Sequence, residues 1–255
     1  MILLQQRYDS PDPARQAELE AARAANASCP AFRHVEAVDG AARRWTFADL
    51  FALAAERFSG AVCVIANSDI SFDAGIESLR RMVRPGVLVA LTRWDDETAP
   101  SMEGRVDPTT WRFYSQSQDA WAFIAGGLPA FPADFRLGMP RCENRLAYEA
   151  AAAGVVVFDP ALSIRTRHHH ATNVRTWTRR DGYDGPLFFP RLTTTECTAA
   201  EGTVLDRTRG KREFVAVLTG NATDLAEAAR RARDNRGTNR VRIGLRSPFY
   251  LRRLG

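Results

Sequence analysis

"VCVIANSDISFD" (residues 62–73) sets an apolar run, Val62 to Ala66, directly against Asn67, Ser68 and Asp69, after which Ile70 and Phe72 alternate with Ser71 and Asp73. Five apolar residues rich in β-branched Val and Ile, broken by Asn-Ser-Asp, read as a buried strand ending on a polar cluster. The neighbouring segments fit the same picture. "MILLQQRY" (1–8) reads as a strand, and "SPDPARQAELEAARAANA" (10–27) reads as a helix opening on Ser10, Asp12 and Pro13. "FRHVEAVD" (32–39) is a second strand ending in Asp39, and "TFADLFALAAERFSG" (46–60) is a helix capped by Thr46 and stopped by Gly60. Beyond the opening stretch, "AGIESLRRMVRPG" (74–86) reads as a helix and "VLVALTRW" (87–94) as a fourth strand. Alternating strands and helices imply an α/β fold with a largely parallel sheet.

The middle of the chain is less regular. Residues 95–110 read as a polar loop and "SQDAWAFIAGG" (117–127) as a strand. "ENRLAYEAAAAG" (143–154) is a compact helix ending at Gly154, followed by a buried strand, "VVVFDP" (155–160). The tail carries a strand-helix-strand pattern: "FVAVLTG" (214–220), "DLAEAARRARDN" (224–235) and "RVRIGL" (240–245). The expected organisation is an α/β unit with helices on both faces of a mostly parallel sheet over 1–180, plus a small α/β extension over 181–255 packed on it.

Composition is that of an ordinary globular protein: 255 residues, 45% hydrophobic and 25% charged. No run approaches the length of a membrane span, and the N-terminus lacks the basic region of a signal peptide. Cys29, Cys63, Cys142 and Cys197 form no CxxC pair, which disfavours a cysteine zinc site and leaves a reduced, cytoplasmic protein as the default. Cys63 reads as a small buried hydrophobe. The net charge of +5 is unevenly spread: from Arg165 onward there are 19 Arg and Lys against 9 Asp and Glu, and before it 16 against 21. That basic third suits a solvated face or an anionic partner. No RNA-binding or zinc-finger pattern accompanies it, so nucleic acid is not the expected partner.

In open α/β sheets ligands bind beyond the carboxyl ends of the strands. Asn67, Ser68, Asp69 and Asp39 fall at such ends. Asn67 and Asp69 could face one hard cation, Mg²⁺ or Mn²⁺, or could simply form an Asx-turn. Glu143 stands at the head of a helix, where the dipole favours a carboxylate, or it is an ordinary first-turn acid. "SIRTRHHHATNVR" (163–175) places three consecutive His internally. His168 or His170 could ligate a metal as neutral imidazole, or all three could belong to an exposed loop.

Taken together these segments resemble the A-type glycosyltransferases, which use nucleotide-sugar donors and have a single Rossmann-like domain. The resemblance covers residues 1 to about 178. In that family a strand ends in Asp-x-Asp, which holds Mn²⁺ or Mg²⁺ against the donor diphosphate; here it stands as Asn67-Ser68-Asp69, with Asn for the first Asp. The chain is most similar to a bacterial, plant and giant-virus subgroup through Gln118-Asp119-Ala120-Trp121, Cys142-Glu143-Asn144-Arg145, and His168-His169-His170 with Asn173 and Arg175. The resemblance implies a metal-dependent, inverting transfer of a sugar from a UDP- or GDP-linked donor to an acceptor hydroxyl on a glycan or lipid-linked acceptor. It implies Glu143 as general base with Asp119 second, and Asp69, His168 and His170 at the metal. It also implies Gln6, Asp39, Asn67, Asp69 and Arg93 at the donor, with Arg175 on phosphate and Trp121 as a sugar platform or a core residue. Two rival readings stay open: a catalytically inactive nucleotide- or sugar-binding protein on the same fold, and a metal-dependent phosphohydrolase. Arg246, Arg252 and Arg253 around Pro248-Phe249-Tyr250-Leu251 suit a peripheral contact with an anionic membrane on the inner face, a tail packed over the site, or a frayed end.

Overall fold

The computed structural model describes residues 1–94, 117–172, 174, 175, 177–206 and 213–220, with short pieces at 244, 245, 247, 248 and 251–253. Its centre is a six-stranded sheet built from β1 (Ile2–Arg7), β2 (His34–Asp39), β3 (Val62–Ala66), β5 (Val87–Thr92), β6 (Gln118–Ile124) and β7 (Val156–Phe158), in the order β2-β1-β3-β6-β5-β7. β1 pairs parallel with β2 and β3, and β5 pairs parallel with β7. β6 runs against both its neighbours, β3 and β5. The carboxyl ends of five strands and the amino end of β6 therefore share one edge of the sheet.

Period-two alternation along the strands divides the core in two. Ile2, Leu4, Cys63, Ile65, Trp121 and Phe123 face one side, where α2 (Phe47–Phe58) contributes Phe47, Leu50 and Ala54 and α4 (Cys142–Ala152) contributes Leu146, Ala147 and Ala150. Leu3, Val64, Ala66, Val87, Val89 and Ala122 face the other, covered by Ile76, Leu79 and Val83. α1 (Pro13–Ser28) is tied to β4 (Ile70–Phe72) by Asn26, whose amide donates to the Ile70 carbonyl at 2.8 Å and accepts from the Phe72 N–H at 3.1 Å. The chain is thus α/β with a mostly parallel mixed sheet.

Local chemistry accounts for the boundaries. The Asp12 carboxylate accepts from Arg15 N at 2.8 Å and Pro13 opens α1, where its missing N–H costs nothing. Thr46 and Asp49 form a reciprocal capping box on α2, and Gly60, at φ 76°, follows its end. The segment read as one helix over 74–86 is instead a tight 3₁₀ turn, Ala74–Ser78, running into a single α-helical turn, α3 (Leu79–Met82). Asp73 fixes that turn by accepting from Gly75 N at 2.7 Å.

After β7 the chain forms β8 (Thr166–His168), antiparallel to β4, with Ile70 opposite His168. β9 (Pro186–Pro190), β10 (Ala200–Asp206) and β11 (Glu213–Gly220) then make an antiparallel sheet, with 251–253 on the far edge of β11. Gly202 lets β10 approach β9: a Cβ there would lie 2.1 Å from the Phe189 carbonyl oxygen. Phe188 and Ala200 belong to the same buried cluster as Trp121 and α4, so this sheet shares the main core. Of the expected strand-helix-strand tail, 214–220 is a strand; the 224–235 segment and most of 240–245 lie outside the described residues, as do the polar stretch 95–110 and Asn173. No helix among the described residues is long and apolar enough to cross a membrane.

Candidate functional site

A cleft of about 1480 Å³ opens at the carboxyl edge of the sheet, between α1, residues 168–172 with 174, 175 and 177, the 137–141 segment and the head of α4. Its lining includes Gln6, Asn67, Asp69, Arg93, Asp119, Glu143, His168 and His170. Sheet topology explains the gathering. β3 delivers Asn67-Ser68-Asp69, β5 delivers Arg93, and β6, because it runs the other way, delivers Asp119 from its start.

On one side of the cleft Asp69 is the hub. It is buried, and its Oδ2 lies 2.5 Å from Arg15 Nη2, 3.2 Å from His170 Nδ1 and 3.5 Å from His168 Nε2. Burial alone would raise the Asp69 carboxyl, but hydrogen bonds from His168 and His170, and the Arg15 charge, outweigh it and hold the group well below the usual carboxylate range. His168 is held above its ordinary value: burial pulls it down, and the Asp69 hydrogen bond and the Asp119 charge more than compensate. His169 is held below its ordinary value by burial and by the Arg167 charge, and its Nε2 lies 2.8 Å from the Ser71 hydroxyl.

Asp69, His168 and His170 each offer a ligand atom within 4.8 Å of the others. One carboxylate and two imidazoles suit a divalent ion such as Mn²⁺, Mg²⁺ or Zn²⁺, the nitrogen ligands favouring the transition metals. His170 turns Nδ1 toward Asp69, so that nitrogen is the one placed to share an ion with the carboxylate, while its Nε2 is buried with no hydrogen-bond partner among the described residues.

Beside this cluster, Asn67 organises two carboxylates. Its Nδ2 donates to Asp119 Oδ1 at 2.6 Å, and its amide is also a hydrogen-bond partner of Glu143. Arg93 Nη1 lies 3.2 Å from Asp119 Oδ2. Glu143 is partly open to the cleft and otherwise enclosed by protein. That enclosure, followed by the nearby Asp119 charge, pushes its pKa up to about 7. The Cys142 thiol, buried beside Glu143, is raised well above its ordinary value by burial and by that carboxylate. The head of α4 is set by Arg141, a non-glycine residue at φ 70° that makes no side-chain cap. An Asp at 67 would place a third carboxylate where Asp119 now accepts, so the amide fits a role as donor between acids.

Behind the cleft runs a buried polar chain. Asn144 Nδ2 donates to Gln118 Oε1 at 2.7 Å, Gln118 Nε2 reaches Thr92 Oγ1 at 3.4 Å, and Thr92 Oγ1 donates to Asp159 Oδ2 at 2.6 Å. Burial raises Asp159 to about 7 against the pull of the Thr92 hydrogen bonds.

Other expected residues are placed differently from the centre. The Gln6 side-chain oxygen accepts from Trp45 N at 2.7 Å, and the Ser68 hydroxyl donates to the Gln6 carbonyl at 2.8 Å. Asp39 is exposed beside the cleft; its carboxylate accepts from Ala41 N and Ala42 N in a turn, and its neighbour Gly40 joins the lining. Trp121 is a core residue, 1% exposed and edge-on to Phe47 at 6.3 Å, so it offers no face to a ligand. Arg175 is exposed on the cleft lining, 4.9 Å from the Trp177 ring. Two residues that the sequence reading passed over, Arg15 and Glu18, line the site from α1. The only sequence signal for them is their spacing on one helix face. No protein-family model, curated protein or solved structure matches the chain.

Proposed function

We propose that the chain is a glycosyltransferase of the A-type fold that moves a sugar from a UDP- or GDP-linked donor to an acceptor hydroxyl with inversion. The observation carrying this reading is the convergence, in one cleft, of a candidate cation centre (Asp69, His168, His170) and an amide-bridged carboxylate pair (Asp119, Glu143). A divalent ion at that centre would supply electrostatic stabilisation of the departing nucleoside diphosphate.

The chain's own residues supply the rest. Glu143, with its pKa near 7, accepts the proton of the attacking hydroxyl; a base of that strength is about half ionised at neutral pH and still basic enough to help. Asp119, held by Asn67 and Arg93, orients the acceptor. Arg175 and Trp177 at the rim suit a phosphate and a planar or sugar ring respectively.

The test is thermal stabilisation by UDP and GDP, each with and without Mn²⁺, followed by release of nucleoside diphosphate from a panel of nucleotide-sugars. Metal-dependent stabilisation with acceptor-dependent release supports transfer. Acceptor-independent release points to a hydrolase, stabilisation without release to a binding protein, and no response to any nucleotide sinks the reading.

A further inference from the structure

The three candidate ligands come from two distant parts of the chain, Asp69 following β3 and the histidines on and after β8. β4–β8 pairing and the bond from His169 N to the Asp69 carbonyl, 2.9 Å, align their backbones. What holds the side of the cluster away from the sheet is α1. Arg15 Nη2 meets Asp69 Oδ2, while Arg15 Nη1 donates to Glu18 Oε2 at 2.8 Å and to the His169 carbonyl at 3.0 Å. Glu18 in turn accepts from Thr172 N and Thr172 Oγ1, both at 2.7 Å. Two side chains on one face of one helix thus grip the carboxylate, the middle histidine's backbone and the residue two beyond the last histidine.

We propose that Arg15 and Glu18 are positioning residues of a divalent-cation site at Asp69, His168 and His170, an inference that rests on the cation reading of that cluster. Two physical effects combine. The first is geometric: ligands on separate segments bind well only if their outer partners fix them, and losing such a partner typically costs about 10–100-fold in affinity. The second is charge. Arg15 neutralises Asp69, and a dication entering beside a neutral pair would gain little. Glu18, whose pKa is brought down to about 2 because hydrogen bonds from Arg15 and Thr172 outweigh burial, returns one negative charge to the cluster. Arg15 can therefore orient Asp69 without cancelling the site's attraction for a cation.

The test uses the full chain and Co²⁺ as a spectroscopic probe, read by visible absorption and by calorimetric titration. Wild type should give ligand-field bands that Asp69→Ala abolishes. Glu18→Gln, isosteric but uncharged, should weaken Co²⁺ binding about 10–100-fold and alter the bands. Thr172→Ala, a milder change that keeps the backbone bond, should weaken binding a few-fold while leaving the metal-free melting temperature near wild type; it keeps the question open to experiment if Glu18→Gln folds poorly. Variants that match wild type in both affinity and spectrum overturn the positioning role while the cation centre stands. A wild-type chain that binds no Co²⁺, or an Asp69→Ala chain with unchanged bands, overturns the centre and the positioning role together.

Discussion

Asp69 and Glu143 line one cleft and are both largely enclosed by protein, yet they are driven in opposite directions. Asp69 is held far below its ordinary value and Glu143 is lifted to about 7. Burial pushes both upward, so burial does not decide the matter. The difference lies in the company: Asp69 has a guanidinium and two imidazoles on one oxygen, whereas Glu143 has an uncharged amide, a thiol and a second carboxylate. One half of the cleft is built to keep a negative charge fixed, and the other to let a proton come and go.

The strongest way to break this contrast is to remove the fixed charge. Asp69→Ala leaves Arg15, with a side chain only 6% exposed, beside two imidazoles and without its main counter-ion. A broken buried pair costs about 3–5 kcal/mol, so the melting temperature should fall by roughly 10 °C. Metal-dependent nucleotide binding should vanish, and unchanged affinity for UDP or GDP with Mn²⁺ would remove Asp69 from the metal.

Glu143→Gln attacks the other half. It preserves shape but cannot take a proton, so turnover should drop about 10²–10⁴-fold with donor binding barely altered. Near-normal turnover would move the base to Asp119.

The pH dependence of stability separates the two halves in the unmodified chain. Glu143 and Asp159 have folded values near 7, well above the roughly 4 of carboxyls in an unfolded chain. Between those limits the folded state holds protons that the unfolded state has released, so stability falls as pH rises through that window. Asp69 and Glu18 have folded values below their unfolded ones, and their contribution is lost only as pH falls below about 4. Melting temperature should therefore be higher at pH 5 than at pH 8, and Glu143→Gln should flatten part of that slope. A flat wild-type profile between pH 5 and 8 would contradict the placement of both buried acids.

The smallest expected effect sharpens the contrast. Asn67→Asp exchanges the bridging donor for a third carboxylate beside Asp119 and Glu143. It should cost about 1–2 kcal/mol at pH 8, much less at pH 5 where the new group can share a proton, and leave Co²⁺ affinity untouched. Stronger Co²⁺ binding in this variant would instead make position 67 a metal ligand.

Much of this fold could be read from the chain because its signals are local. β1, β3, β5 and α2 carry their own periodicity, caps and stops, and Thr46 and Gly60 do what such residues do. The direction of β6 could not be read, since an apolar run looks the same from either end; it is set by pairing with β3, whose partners lie some sixty residues earlier. The 74–86 segment has helical composition but an Asp73-Gly75 turn tightens its start. At the site, individual acids and histidines stood out by type, and the sheet edge brought most of them together. Their partnerships did not show. Nothing in the order of residues says that Asn67 would bridge Asp119 and Glu143, or that Arg15 and Glu18 would reach the histidines, because these contacts join segments 50 to 150 residues apart. Trp121 was ambiguous for the same reason, as an aromatic on a strand can face either a core or a ligand.

The position of β6 between β3 and β5 also constrains how the chain is made. β6 is synthesised after both of the strands it joins, β3 of the parallel β2-β1-β3 set and β5. Until Gln118–Ile124 leaves the ribosome, β3 and β5 carry open, apolar edges, the kind of surface that templates intermolecular pairing. Closure then demands contacts of long sequence separation on both sides of one strand, which places the rate of folding with slow, non-local topologies. The antiparallel strand that brings Asp119 to the cleft thus makes the nascent chain dependent on its own late arrival, and substitutions in 118–124 should tell on the yield of folded protein before they tell on its chemistry.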